Sequence, residues 1–146
     1  MDSFKNITVE DLLPHRGRMK LVDDIIELDE RRAVTRAVVT DQWPLFDKNG
    51  VNALALVELA AQTAGLSNGL ARINKRGKDA DNRGWLAGIK ESRLLVDFIP
   101  LGAEIITVAE NCFEFGNYRE ISGSARIASK AVGHFRLQVV GADDSG

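Results

Sequence analysis

Glu58 is the residue of this chain whose surroundings most suggest chemistry. Its neighbours run Val51-Asn52-Ala53-Leu54-Ala55-Leu56-Val57 before it and Leu59-Ala60-Ala61 after it, apolar apart from Asn52. The Ala and Leu content favours helix, and the apolar residues fall on every face of that helix. A helix apolar all round is buried on most sides. Ionising a carboxyl group there costs several kcal/mol unless it is paired, so burial favours the protonated acid. An acid held near neutrality is what general acid–base chemistry needs. Gln62 follows one turn later on the same face, where it either orients Glu58 or satisfies a buried backbone group. His15, after Pro14 in a loop, is the other group able to move protons. It acts only if the opening loop brings it to Glu58 or the substrate; otherwise it is structural. The bland alternative for Glu58 is a salt bridge to Lys90 or Arg93.

Several functions are disfavoured by composition. The 146 residues suit one domain, 1–146, with a sizeable core. A net charge of −2 leaves no basic excess to neutralise phosphates, against nucleic-acid binding. The most basic run, 72–83, reads as a solvated helix end and loop, with docking of an acidic partner as the sharper alternative. One cysteine, Cys112, excludes an intrachain disulfide and a cysteine-built metal site. It lies in an alternating stretch and reads as core filler. With two histidines, His15 and His134, a histidine-rich metal site is not expected, nor is any cofactor. His134 alternates with Phe135 and reads as exposed. Residues 1–6 lack a signal-peptide core. The one long apolar run is interrupted by Glu58 and Gln62, so no membrane span is expected. A cytoplasmic protein is the expectation.

The elements that must position these groups can be read in order. Thr8 caps a short helical turn that Pro14 stops. Residues 21–28 and 32–40 read as strands, with Glu30-Arg31 in the turn between them. Residues 43–46 form an apolar lead-in, and 47–50 form a turn in which Asp47 and Asn49 are turn residues first and site candidates second. The helix is expected over 52–74 and a polar loop over 77–84. Then come strands over 85–96, 104–115, 118–128 and 132–140, with turns at Gly116-Asn117 and Ser129-Lys130. The break between the first two is Pro100-Leu101-Gly102. Trp85 and Phe98 read as core, or as apolar walls for an acyl chain. The tail, 141–146, reads as frayed. One long buried helix with strands on both sides in sequence, and no further long helix, argues against βαβ units. The economical solution is an α+β hotdog fold, a curved antiparallel sheet wrapped around one long central helix.

Three blocks carry a family resemblance. Leu12-Leu13-Pro14-His15-Arg16 with Leu21-Val22-Asp23 resembles the opening motif of the hotdog 3-hydroxyacyl-acyl-carrier-protein dehydratases. Val57-Glu58-Leu59-Ala60-Ala61-Gln62 resembles their helix motif. Leu86-Ala87-Gly88-Ile89 with Arg93, then Pro100-Leu101-Gly102, resembles their third block. The order of the three is specific for the fold and less so for the activity.

The resemblance implies a hydro-lyase of fatty-acid or polyketide-type synthesis, acting on an acyl thioester of acyl carrier protein or coenzyme A. It implies a site at a dimer interface, where a histidine of one subunit meets the helix glutamate of the other. Glu58 takes the glutamate's place, and donors near Asn52 and Ala53 at the helix start would polarise the thioester carbonyl. The family histidine belongs to a Gly-His-Phe-Pro segment before the helix. Here that segment is Trp43-Pro44-Leu45-Phe46-Asp47-Lys48-Asn49-Gly50, without histidine. In this the chain is similar to the divergent dehydratase-like subunits of aryl polyene pathways. Elimination needs a base and an acid, so a chain without that histidine is expected to be weak alone. A homodimer or higher oligomer is expected, or a heterodimer with a hotdog partner that supplies the histidine. The alternatives are an acyl thioesterase using Glu58 to activate water, and a non-catalytic dimer partner.

Overall fold

The computed structural model describes residues 7–77 and 84–141. The chain runs α1 (Val9–Leu12), β1 (Asp24–Leu28), β2 (Arg32–Val38), β3 (Phe46–Asp47), β4 (Gly50–Asn52), α2 (Ala55–Arg76), β5 (Gly84–Leu94), β6 (Phe98–Ile99), β7 (Glu104–Phe115), β8 (Tyr118–Ile127) and β9 (Lys130–Gly141). One antiparallel sheet has the order β1-β2-β7-β8-β9-β5, and a small one has β3-β4-β6. This is the expected hotdog: α2 packs across β2, β7, β8 and β9. Leu56, Leu59, Leu66 and Leu70 of the helix join Ile105, Ile121, Phe135 and Leu137 of the strands in one buried core. Each such side chain contributes about 1.5–3 kcal/mol by leaving water.

The helix starts three residues later than 52–74 predicts. Asn52 is held in β4, and its side-chain Oδ1 accepts the Leu54 N–H at 2.9 Å, ending the strand before the helix can begin. The small sheet was not foreseen, because strands this short carry no period. The last hairpin turns at Ala128-Ser129 instead of Ser129-Lys130, since Ala128 takes φ 54° and Lys130 already pairs with Ile127. Cys112 is exposed and not core filler: Asn111 occupies the buried position, and the pairing slips by one residue between Asn111 and Phe113. Phe98 is 37% exposed at the small sheet, against its reading as core. His134 is exposed, as read. The predicted loop residues 78–83, the frayed tail beyond 141, the terminus 1–6 and the Trp85 side chain lie outside the described residues.

One packing detail sets the geometry of everything that follows. Gly65 and Gly69 lie one turn apart on α2, facing Leu13 and Leu12. A Cβ at Gly69 would come 2.7 Å from the Leu12 carbonyl oxygen, and one at Gly65 would come 2.7 Å from a Leu13 methyl. Two glycines inside a helix cost propensity, and here they open a groove into which α1 sinks. Leu12 and Leu13 are buried in it.

The two edges of the large sheet differ. β1 is short, bears Asp24 and Glu27, and has a bulge between Ile25 and Glu27, all features that discourage pairing. β5 is long, and Leu86 and Ile89 are exposed on it. It also exposes Lys90, Glu91 and Arg93 and has two register shifts, yet among the described residues its outer side is unpaired and long enough to be a template for another strand.

Two outcomes are expected. Gly69→Ala raises helix propensity yet should destabilise the fold by about 1–3 kcal/mol through overpacking against Leu12; a melting temperature at or above the parent's would refute the groove. The purified chain should also be a dimer or larger through β5, and light scattering that gives a monomer at micromolar concentration would exclude self-pairing of this edge.

Candidate functional site

α1 is fixed at both ends. Thr8 Oγ1 accepts the Asp11 N–H at 3.2 Å while Asp11 Oδ2 accepts the Thr8 N–H at 3.0 Å, a reciprocal capping box. The helix stops at Leu13, because the residue before a proline is forced into extended backbone. The turn beyond it is held by Arg16. Its guanidinium donates to the carbonyls of Leu13 (2.6 Å), His15 (2.8 Å) and Glu10 (3.0 Å). Lys20 then reaches back to Glu10 at 2.6 Å, and this bond holds the Glu10 carboxyl below the usual carboxylate range. A loop clamped this way presents the His15 ring in one direction.

That direction is toward Glu58. His15 Nε2 lies 3.2 Å from Glu58 Oε1 in the same chain. His15 Nδ1 is buried and has no partner among the described residues, so Nε2 is the nitrogen available for proton transfer. Gln62 supports the pair. Its Nε2 donates to Glu58 Oε1 at 3.0 Å and to the Met19 carbonyl at 2.7 Å, and its Oε1 accepts the Leu21 N–H at 2.9 Å. Both roles foreseen for Gln62 are therefore filled by one side chain, which is 1% exposed.

Glu58 is not the buried acid that its neighbours predict. Its side chain is 38% exposed and that of His15 is 24% exposed. From Ala55 to Leu70 helix α2 is buried except at Glu58, Ala61, Gly65 and Asn68, and Arg72 continues their stripe, whose spacing keeps all five on one face. That stripe is the floor of a cavity of ≈ 200 Å³, walled by Leu13 and Pro14 on one side and by Leu86, Val139 and Val140 on the other. Of the apolar residues around Glu58, Val57, Leu59 and Ala60 are core, and Ala61 is cavity floor. Of the two cations offered as a salt-bridge partner for Glu58, Lys90 instead reaches Glu120 at 3.2 Å.

Asn52 and Ala53 do not join the site. The Asn52 N–H is bonded to the Leu45 carbonyl at 3.1 Å and the Ala53 N–H to that of Asp97 at 2.9 Å, so neither is available to polarise a thioester. Neither residue lines the cavity. Asp47 Oδ1 accepts the Asn49 N–H at 2.7 Å, a turn role. Asn68, Arg72, Asn117 and Arg119 line the cavity and were not singled out as a group. A helical wheel drawn from Glu58 would have found Asn68 and Arg72; Asn117 and Arg119 come from the β7–β8 hairpin and have no such signal.

Comparisons with known proteins agree with this fold. The protein-family model described as ApeP-like, ApeP dehydratase, matches residues 7–145. Among solved structures, the dehydratase heterocomplex ApeI:P from Xenorhabdus doucetiae is similar with TM-score 0.84 at 18% identity, covering 94% of this chain and 92% of that one. The PaaI protein of the E. coli phenylacetic acid degradation operon is similar with TM-score 0.60 at 18% identity, over 80% and 81% of the two chains. A hypothetical thioesterase with coenzyme A from Streptococcus pneumoniae gives TM-score 0.61 at 14% identity, over 83% and 88%. At these identities the likeness is one of fold. No curated protein sequence matches the chain.

Gln62→Leu keeps the size of the side chain and strands the Leu21 N–H and Met19 carbonyl. It should cost about 1–3 kcal/mol for each buried group left unpaired. Urea denaturation measures this, and an unchanged midpoint would show that water replaces the amide.

Proposed function

We propose, for a chain that belongs to the ApeP-like dehydratase family, that it removes water from 3-hydroxyacyl thioesters and that His15 and Glu58 carry the protons. The observation that carries this reading is the 3.2 Å contact between them at the end of a cavity. Elimination breaks one C–H bond beside the thioester carbonyl and one C–O bond at the next carbon. The C–H electron pair becomes the double bond, and the departing hydroxyl takes a proton and leaves as water. One group accepts a proton and the other gives one. Starting from a carboxylate and an imidazolium, the pair ends as a carboxylic acid and a neutral imidazole. A proton then crosses the hydrogen bond between them, and the starting state returns without help from solvent. The histidine missing before the helix is replaced in this scheme by one from the opening loop of the same chain. Gln62 leaves one Glu58 oxygen committed to itself and His15, and the other oxygen to the substrate.

A second hotdog chain completes the cavity in this proposal. Gly84 and Leu86 line it and belong to β5, the unpaired edge, so a strand added there closes the open side. The solved relative named above is a heterocomplex, which makes a different hotdog chain a partner to test beside a second copy. The acyl group arrives on acyl carrier protein or coenzyme A.

The test incubates the purified chain, alone and with a histidine-bearing hotdog partner, with 3-hydroxyacyl and saturated acyl thioesters. Mass spectrometry separates loss of water from hydrolysis. Dehydration is expected, with Glu58→Gln and His15→Ala each lowering it by about 10²-fold or more while circular dichroism stays unchanged. Dehydration that survives His15→Ala but needs the partner would assign the histidine's role to the partner. Cleavage of saturated thioesters without dehydration would make the protein a thioesterase. A lowered melting temperature with activity intact would make Glu58 structural.

A further inference from the structure

The cavity that starts at His15 and Glu58 ends at two arginines. Arg72, from α2, and Arg119, from β8, line it together with Asn68 and Asn117. The same four residues line a second, more polar cavity of ≈ 370 Å³ beyond. Around that second cavity stand Arg72, Lys75, Arg76 and Arg119 against the carboxylates of Glu30 and Glu114. Cations gather here although the chain as a whole carries −2.

The Arg119 guanidinium is held by bonds and that of Arg72 packs against the chain. Arg119 is 17% exposed, with Nη1 donating to the Gly116 carbonyl at 2.7 Å and the Tyr118 carbonyl at 3.2 Å, and Nε 3.3 Å from Glu114. Arg72 lies against Gly141, where any side chain would collide with its guanidinium. Gly141 is itself fixed by Asn117, whose Nδ2 donates to its carbonyl at 2.8 Å while the Gly141 N–H reaches the Asn117 carbonyl at 2.9 Å. Ordering two arginines before a ligand arrives removes part of the entropy cost of binding an anion.

Distance selects the anion. Glu58 and Arg72 share a helix face about four turns apart, or about 21 Å at 1.5 Å per residue. A 4′-phosphopantetheine arm has about thirteen bonds from sulfur to phosphorus, roughly 15 Å when extended with the reach per bond of a peptide chain. The thioester carbons add a few ångström at one end, and the arginine side chain spans the rest at the other. We propose that Arg72 and Arg119 form an anion subsite that holds the phosphate of the pantetheine arm, while the apolar cavity between holds the arm and presents its thioester to Glu58. This rests on the acyl-thioester reading of the site. Phosphate accepts charge-assisted hydrogen bonds from guanidinium groups.

Binding without turnover tests it. Calorimetry on the full chain compares 4′-phosphopantetheine with pantetheine, which lacks only the phosphate. The phosphorylated form should bind at least about tenfold more tightly. Arg72→Gln should remove most of that preference, Arg72→Lys should keep part of it, and Gly141→Ala should weaken it by displacing the Arg72 guanidinium. Because Arg119 also braces its hairpin, Arg119→Gln is read only with an unchanged melting curve. Equal affinity for the two compounds, no saturable binding of the phosphorylated one, or a preference that survives both glutamine variants would overturn the subsite. Coenzyme A as a third titrant distinguishes the source: tighter binding than phosphopantetheine assigns the second cavity to a nucleotide, equal binding to a carrier-protein arm, and both keep the subsite. A chain that prefers the phosphate but dehydrates nothing would retain this subsite and lose the proposed reaction.

Discussion

The buried amide of Gln62 is the contact on which the site depends. An amide taken out of water is costly unless each of its groups is bonded. Here the carbonyl oxygen accepts from Leu21 and the amide nitrogen donates to Met19 and Glu58. One rigid side chain on the central helix therefore fixes the far end of the opening loop and the direction of the carboxylate. Arg16 fixes the near end of the same loop through three carbonyls. His15, between the two anchors, has little freedom left.

The glycine groove makes those anchors reachable. Without Gly65 and Gly69, α1 would stand farther from α2, and the opening loop would miss the Gln62 amide. The helix gives up local propensity at these positions. It gains burial of Leu12 and Leu13, and that burial carries the loop with it. Stability and the geometry of the site are coupled through this one packing surface.

Much of this was legible in the residues. Thr8 with Asp11 three places on marks a capped helix start, and Pro14 marks its end. Pro100-Leu101-Gly102 and Gly116-Asn117 flank residues 104–115, and both ends of β7 were read correctly. Glu58 and Gln62 are one turn apart, so their contact follows from helix geometry alone. The hotdog class followed from one long apolar helix set among strands. Other features were not legible. Cys112 alternates like a core residue, yet a slipped pairing exposes it, and pairing register is a property of two strands, not of one. The strands of the small sheet are too short to show a period. Asn52 and Ala53 were read as helix and donors, but their N–H groups are taken by Leu45 and Asp97, partners that no local pattern names.

The sequence by itself determined which groups could transfer protons and on which elements they lie, because capping, helical spacing and proline breaks act over a few residues. It carried Glu58, His15 and Gln62 as candidates without saying whether the histidine and the helix pair meet. Tertiary structure decided that they do, and it decided that Glu58 faces a cavity instead of the core. The reason is geometric. Apolar side chains on a helix are equally suited to a core and to a cavity floor, and only the packing of the sheet and α1 around the helix decides which stripe stays uncovered. Here the sheet leaves bare the stripe from Glu58 to Arg72. Two arginines far apart in the chain then stand at the opposite end from the one carboxylate, an arrangement that only folding brings about.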